Sequence, residues 1–202
     1  MRTNITNSIH FETIDHISIV EIFNIPIICL RNGENFKIEV ETEEGNQLNV
    51  SVERNENKIR INFLNDGYSE HFIIYITIPN NSLRMLLKNV ISLYTDETTQ
   101  LIIDDFNLDA ESVTNISMEY VSHSKFICNL ACVTNVEING SANECVFDFQ
   151  NTTNVKMKKF KIHNLELKLN NCVEVDFCVF ETIKTNLNNI ISINIEGNPK
   201  YI

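Results

Sequence analysis

Histidine, cysteine and paired acids are the residues through which a chain of this kind would hold a metal or do chemistry. His10, His16, His71, His123 and His163 are scattered. None has a Cys, Asp or second His at the short local spacing of a zinc site. Cys29, Cys128, Cys132, Cys145, Cys172 and Cys178 include no Cys-x-x-Cys pair, and a chain this long does not need stapling. Cys128 and Cys145 occupy positions where neighbouring segments carry Leu or Phe, so they read as small buried hydrophobes with free thiols. Asp104-Asp105 invites comparison with the paired carboxylates of polysaccharide hydrolases. Adjacent residues on a strand point to opposite sides, however, so this pair reads as a solvated turn before Phe106. There is no Gly-x-Ser-x-Gly elbow, phosphate-cradling glycine loop or dinucleotide fingerprint. The sequence assigns no catalytic, cofactor-binding or metal-binding residue, implies no cofactor, and predicts a chain that is not an enzyme.

Two further groups qualify as binding candidates. Lys156, Lys158, Lys159 and Lys161 form a basic patch that could meet an acidic glycan or another subunit. A charged outer face that blocks edge pairing is the simpler explanation. Carbohydrate platforms use exposed aromatics, yet the chain has no Trp, and Tyr68, Tyr75, Tyr94, Tyr120 and Tyr201 do not cluster along it.

The elements that carry these side chains follow from composition and period. The chain has 202 residues and a formal charge of −11, which argues against a nucleic-acid or anionic-membrane partner because the long-range field repels phosphate. It holds 30 Asn and 29 Ile but only three Ala, namely Ala110, Ala131 and Ala142. Ala favours helices, β-branched Ile favours strands and Asn favours turns, so the expected class is all-β.

The second half repeats. Thr114-Asn115-Ile116-Ser117-Met118, Thr134-Asn135-Val136-Glu137-Ile138 and Thr153-Asn154-Val155-Lys156-Met157 share one pattern. An alternating triplet precedes each: Phe106/Leu108/Ala110, Phe126/Cys128/Leu130 and Cys145/Phe147/Phe149. Leu165/Leu167/Leu169 with Val175/Phe177, and Ile183/Thr185/Leu187 with Ile193/Ile195, keep the spacing without the Thr-Asn. Met85/Leu87 with Leu93/Thr95 reads as a first, irregular copy. A fixed period of about 18–20 residues with two strands in constant register describes a right-handed β-solenoid, single-stranded and β-helix-like. Its inner ladder would run Leu108, Cys128, Phe147, Leu167, Thr185. Corner asparagines (Asn115, Asn135, Asn151, Asn154, Asn170, Asn171, Asn188, Asn189) suit a sharp bend, since Asn tolerates left-handed backbone and stacked amides bond from coil to coil.

Residues 17–80 carry strands at a shorter spacing of about 10–13 residues, separated by clusters such as Glu43-Glu44-Gly45-Asn46 and Asn65-Asp66-Gly67, and read as an antiparallel sheet. The expected division is a polar segment over 1–16, an antiparallel region over 17–80 that caps the solenoid, and repeats over 81–202, with Pro79-Asn80-Asn81 at the break. Arg2 and the polar stretch Thr3 to Ser8 carry no apolar run. The chain as given is therefore expected to have neither a signal peptide nor a membrane span.

Three stretches carry a family resemblance: residues 17–27 (Ile17-Ser18-Ile19-Val20 onward), Phe36-Lys37-Ile38-Glu39-Val40-Glu41-Thr42, and Lys58-Ile59-Arg60-Ile61-Asn62. Phe72 to Pro79 follows, a hydrophobic strand ending in Pro just before the repeats. This order resembles the auto-transporter adhesin head domain, of GIN type, common in Bacteroidetes envelope proteins. The likeness runs from about Ile14 to Asn198. The repeats depart from the family by using Asn where it has Gly-Ser corners, with Gly140-Ser141 the one exception. The resemblance implies a β-solenoid region and a surface or periplasmic role, and it transfers no catalytic residue.

The expected function is a non-enzymatic, adhesin-like envelope or surface module for binding or assembly. Its alternatives are a solenoid polysaccharide-acting enzyme and a cytoplasmic polymer-forming scaffold. Location is envelope or secreted if a leader has been removed, and cytoplasmic otherwise. Expected partners are a second copy docking on the C-terminal coil, or an envelope protein or glycan.

Overall fold

The computed structural model describes residues 10–13, 16–42, 50–63, 72–79, 82–96 and 100–202. Its elements are thirteen strands: β1 (His10–Thr13), β2 (Ile19–Phe23), β3 (Ile27–Asn32), β4 (Phe36–Thr42), β5 (Val50–Asn55), β6 (Lys58–Phe63), β7 (Phe72–Ile78), β8 (Leu83–Thr95), β9 (Leu101–Ile102), β10 (Asp105–Ala131), β11 (Asn135–Gln150), β12 (Asn154–Glu196) and β13 (Lys200–Tyr201). No helix occurs among the described residues, as expected of a chain rich in Ile and nearly free of Ala.

The repeats stack in parallel. β8 pairs with β10, β10 with β11, and β11 with β12, so that Leu108 lies beside Met85, Phe147 beside Cys128 and Leu167 beside Phe147. Side-chain bonds such as Asn135–Asn115, Asn154–Asn135 and Asn188–Asn170 span 20, 19 and 18 residues, while Lys88–Glu111 in the first copy spans 23. This constant parallel register fits the coils of a β-solenoid. β10, β11 and β12 run on through the corners as long continuous strands.

Alternation decides what is buried. Leu108, Cys128, Phe147 and Leu167 are each 1% exposed or less, and Glu166 and Lys168 lie in solvent on either side of Leu167. Between the ladders Tyr120, Phe126, Phe147, Phe160 and Phe177 form an aromatic spine. Phe106 and Phe126 are stacked at 5.6 Å and Phe126 meets Phe147 edge-on at 5.4 Å. One hydrophobic cluster runs from Ile17 to Ile183 and includes Ile78 and Leu83 on either side of Pro79.

At one corner of the stack, seven successive rows hold a residue with left-handed backbone. These are Asn24, Asn89, Ser112, Cys132, Asn151, Asn171 and Asn189, with φ between 52° and 58°. Such a conformation costs a non-glycine residue about 1–2 kcal/mol, less for Asn because its short amide bonds locally. Here the amides also bond each other: Asn89 donates to Asn24 (3.0 Å), Asn171 to Asn151 (3.1 Å) and Asn189 to Asn171 (2.7 Å). Asn115, Asn135 and Asn154 form a second amide ladder at 2.9 and 3.0 Å.

The first 80 residues differ from a purely antiparallel sheet. β4 pairs antiparallel with β1 and β7, and β5 with β6. By contrast, β2 lies parallel between β6 and β8, and β3 parallel between β7 and β8. β2 and β3 thus repeat the geometry of the later coils, and the antiparallel strands are added outside them. Alternating burial is the same for either direction, so strand patterning alone cannot distinguish the two. The turn clusters at 43–46 and 65–67, with His71 and Tyr68, lie outside the described residues.

Candidate functional site

The parallel register lines up outward side chains in rows across the coils. One row reads Leu86, Asp109, Asn129, Asp148, and the next reads Lys88, Glu111, Ala131, Gln150. Where Ala131 stands among longer side chains, the second row is interrupted by a hollow, bordered from below by Leu87, Ala110 and Leu130, whose side chains face the core. The result is an open groove of about 440 Å³, closed at one end by Phe23. That volume lies in the range of ligand sites, which combine an apolar floor with a few oriented polar groups. Two of the chain's three alanines line it. Their scarcity was the available signal in the sequence, where it read only as evidence against helices.

The rim is polar and held in place. Arg84 donates to Asp109 Oδ2 from Nη2 at 2.9 Å and from Nε at 3.0 Å, and Asn129 Nδ2 donates to Asp109 Oδ1 at 2.6 Å. Lys168 Nζ bonds Asp148 Oδ2 at 2.6 Å and Gln150 Nε2 donates to Asp148 Oδ1 at 3.2 Å. Lys88 Nζ meets Glu111 Oε2 at 3.0 Å. Asp109 and Asp148 sit two coils apart in one row, about 9.6 Å at ordinary strand spacing. That is near the upper limit for an inverting glycosidase pair. Each carboxylate is engaged at both oxygens by a cation and an amide, an arrangement that orients hydrogen bonds.

A second outward feature joins residues that the sequence left apart. Tyr75, Cys29 and Tyr94 are side by side on β7, β3 and β8. The Arg31 guanidinium lies 3.7 Å over the Tyr75 ring and bonds Asp96 at 3.1 Å, and the Tyr75 hydroxyl donates to Glu41 at 2.8 Å. Burial, reinforced by the Glu41 carboxylate, pushes the Tyr75 phenol up to about 12. Burial likewise raises Tyr94 and the Cys29 thiol between the two rings. Two of the five tyrosines therefore flank one cysteine, through pairings far apart in sequence. Tyr120 is fully buried in the spine, its hydroxyl bonded to the Ile103 carbonyl, and Tyr201 is exposed.

The other candidates are dispersed. Asp104 and Asp105 are both exposed; Asp105 accepts from Ser124 at 2.8 Å, while the Asp104 carbonyl accepts from Ser122 and Lys125 on the next coil. Lys156, Lys158, Lys159 and Lys161 all face solvent, with Lys158 3.7 Å from Asp176 and 3.8 Å from Glu196 on later rows. His163 bonds Glu181 at 2.9 Å. Cys29, Cys128, Cys145 and Cys172 are buried free thiols, whereas Cys178 is half-buried. Cys132 is exposed, because it occupies the left-handed corner rather than an inward position. Among the described residues no three His, Cys, Asp or Glu side chains gather at metal-holding distance, and no helix is long and apolar enough to cross a membrane.

Solved structures share this architecture. A putative lipid binding protein from Parabacteroides distasonis matches with a TM-score of 0.53 and 10% identity over 98% of each chain. A putative adhesin from Bacteroides fragilis matches at 0.50 and 11% over 96% of each. At such identity the likeness shows the fold alone. Among proteins of curated function none matches the chain. The family model for the putative auto-transporter adhesin head GIN domain matches residues 17–199, and the chain belongs to that family.

Proposed function

We propose that this chain is a non-enzymatic module of the cell envelope or surface, an adhesin-like β-solenoid that presents its lateral face for binding. The observation that supports it most is the groove over Ala110 and Ala131, whose rim carboxylates are all engaged by cations or amides and are thus built to orient hydrogen bonds. Membership of the adhesin family supports the same reading. Fractionation of cells producing the full-length protein at native level tests it. The protein should appear with the envelope or outside the cell. Recovery with a cytosolic marker would overturn the reading in favour of an internal scaffold.

The proposal includes contact between copies at the C-terminal coil. There Ile191 is 77% exposed and Leu187 43%, and no residue from Thr185 to Ile195 is charged. Among the described residues only the two-residue β13 pairs beyond this coil, at Thr182 and Ile183. An uncharged, Ile-rich strand edge accepts another strand, and a second copy offers an identical edge without like-charge repulsion. Sedimentation at tens of micromolar should show a dimer that Ile191→Lys converts to monomer without loss of melting temperature. A wild-type monomer at that concentration would rule the contact out.

A further inference from the structure

We infer that the groove over Ala110 and Ala131 binds a short, neutral oligosaccharide, an inference that rests on the binding role proposed above and names its ligand class. A sugar ring offers two kinds of surface: an apolar face of C–H groups and a rim of hydroxyls that both donate and accept. The groove offers the complement of each. Its apolar surface comes from the half-buried outward side chains of Phe23, Leu86 and Ala131, while Leu87, Ala110 and Leu130 beneath them face the core. Its rim alternates carboxylate and amide, Asp109, Asn129, Asp148 and Gln150, groups whose paired oxygens or oxygen-and-nitrogen suit neighbouring hydroxyls.

The rim is also preorganised. Asp109 is fixed by Arg84 and Asn129, and Asp148 by Lys168 and Gln150. Less side-chain entropy is then lost when a ligand arrives. Charge selects among sugars. The three lining carboxylates, Asp109, Glu111 and Asp148, are paired with Arg84, Lys88 and Lys168 respectively, so the groove is close to neutral on a protein of net charge −11. Uronic acids, sialic acids, sulfated glycans and phosphate headgroups therefore find Arg84, Lys88 and Lys168 already paired and meet the repulsive field of the whole protein, whereas a neutral sugar meets neither obstacle. The groove is open along its length and bordered by charge, which suits a hydroxyl-rich chain better than an acyl tail.

The test uses the full chain against an array of neutral hexose oligosaccharides, with sialylated, uronate and sulfated oligosaccharides and phosphatidylcholine vesicles as separate arms. Calorimetry on whatever binds then follows. The expected result is binding to at least one neutral oligosaccharide, weakened at least tenfold by Ala131→Trp, which fills the groove from a half-buried outward position. Asn129→Ala, which removes a rim amide and adds no bulk, should weaken the same ligand and guards against misfolding of the first variant. Circular dichroism melts confirm that each variant is folded. The inference is overturned by binding confined to acidic glycans or vesicles, by no binding in any arm, or by neutral-glycan binding that both folded variants retain. Cell fractionation is independent of all these arms, so an envelope protein that binds no glycan would defeat the inference and leave the location standing.

Discussion

Leu167→Asp is expected to prevent cooperative folding or to cost about 3–5 kcal/mol, while Lys168→Asp, one residue on, is expected to cost about 1 kcal/mol or less. Leu167 is 1% exposed and paired with Phe147 on one side. On the other side, the bonds Lys184–Glu166 and Asn188–Asn170 bring Thr185 over it. A carboxylate there would lose an apolar side chain and bury a charge with no cation in reach. Lys168 is 53% exposed and pairs with Asp148 at 2.6 Å. Its replacement by Asp exchanges a solvent-screened attraction for a solvent-screened repulsion. Urea melts of the two variants separate the outcomes, and equal stabilities would mean that the inward and outward faces have been assigned to the wrong residues.

Gly140→Val is expected to lower stability by about 3 kcal/mol or more. Gly140 has φ of +117°, and a Cβ built there would stand 2.0 Å from the backbone oxygen of Tyr120 on the preceding coil. That oxygen belongs to a stacked strand and cannot move aside without breaking its register. On its other side Gly140 faces a longer coil. Between Glu137 and Gly140 the pairing with β12 shifts by one residue, because Lys158 and Lys159 occupy more chain than the coil above them. Ser141→Val, at the neighbouring half-buried outward position, serves as the control and should change stability by about 0.5 kcal/mol or less. Thermal melts followed by circular dichroism measure both, and a Gly140→Val protein as stable as the control would contradict the close approach of the coils.

Much of the fold is legible in the sequence because the same physical requirement recurs every turn of the stack. The triplets Phe126/Cys128/Leu130 and Cys145/Phe147/Phe149 announce both the alternation and the offset, and the pairing of Cys128 with Phe147 follows directly. Asn151, Asn171 and Asn189 announce the corner for the same reason. Ser112 and Cys132 occupy that corner too, yet neither residue type suggests left-handed backbone. Their place could be inferred only by counting along the repeat. Residues 17–80 were less readable, since the parallel pairing of β2 with β6 and β8 joins segments tens of residues apart without a repeated motif. The groove and the Tyr75–Cys29–Tyr94 face were hidden for a related reason. Each is assembled from single residues on several strands, and only the register brings them together.

A stack in which the coils pack mainly on their neighbours has a profile of stabilities rather than one. The last coil is packed on one side, and its Ile190, Ile193 and Ile195 are only partly covered. In the monomeric Ile191→Lys variant, amide protons of residues 184–196 should therefore exchange with solvent through local fraying that leaves the interior intact. The groove lies between Leu86 and Gln150, with the coils of β12 separating it from that end. Opening can proceed inward from residues 184–196 by a coil or more before it reaches the groove, so the groove is insulated from local opening at that edge of the stack.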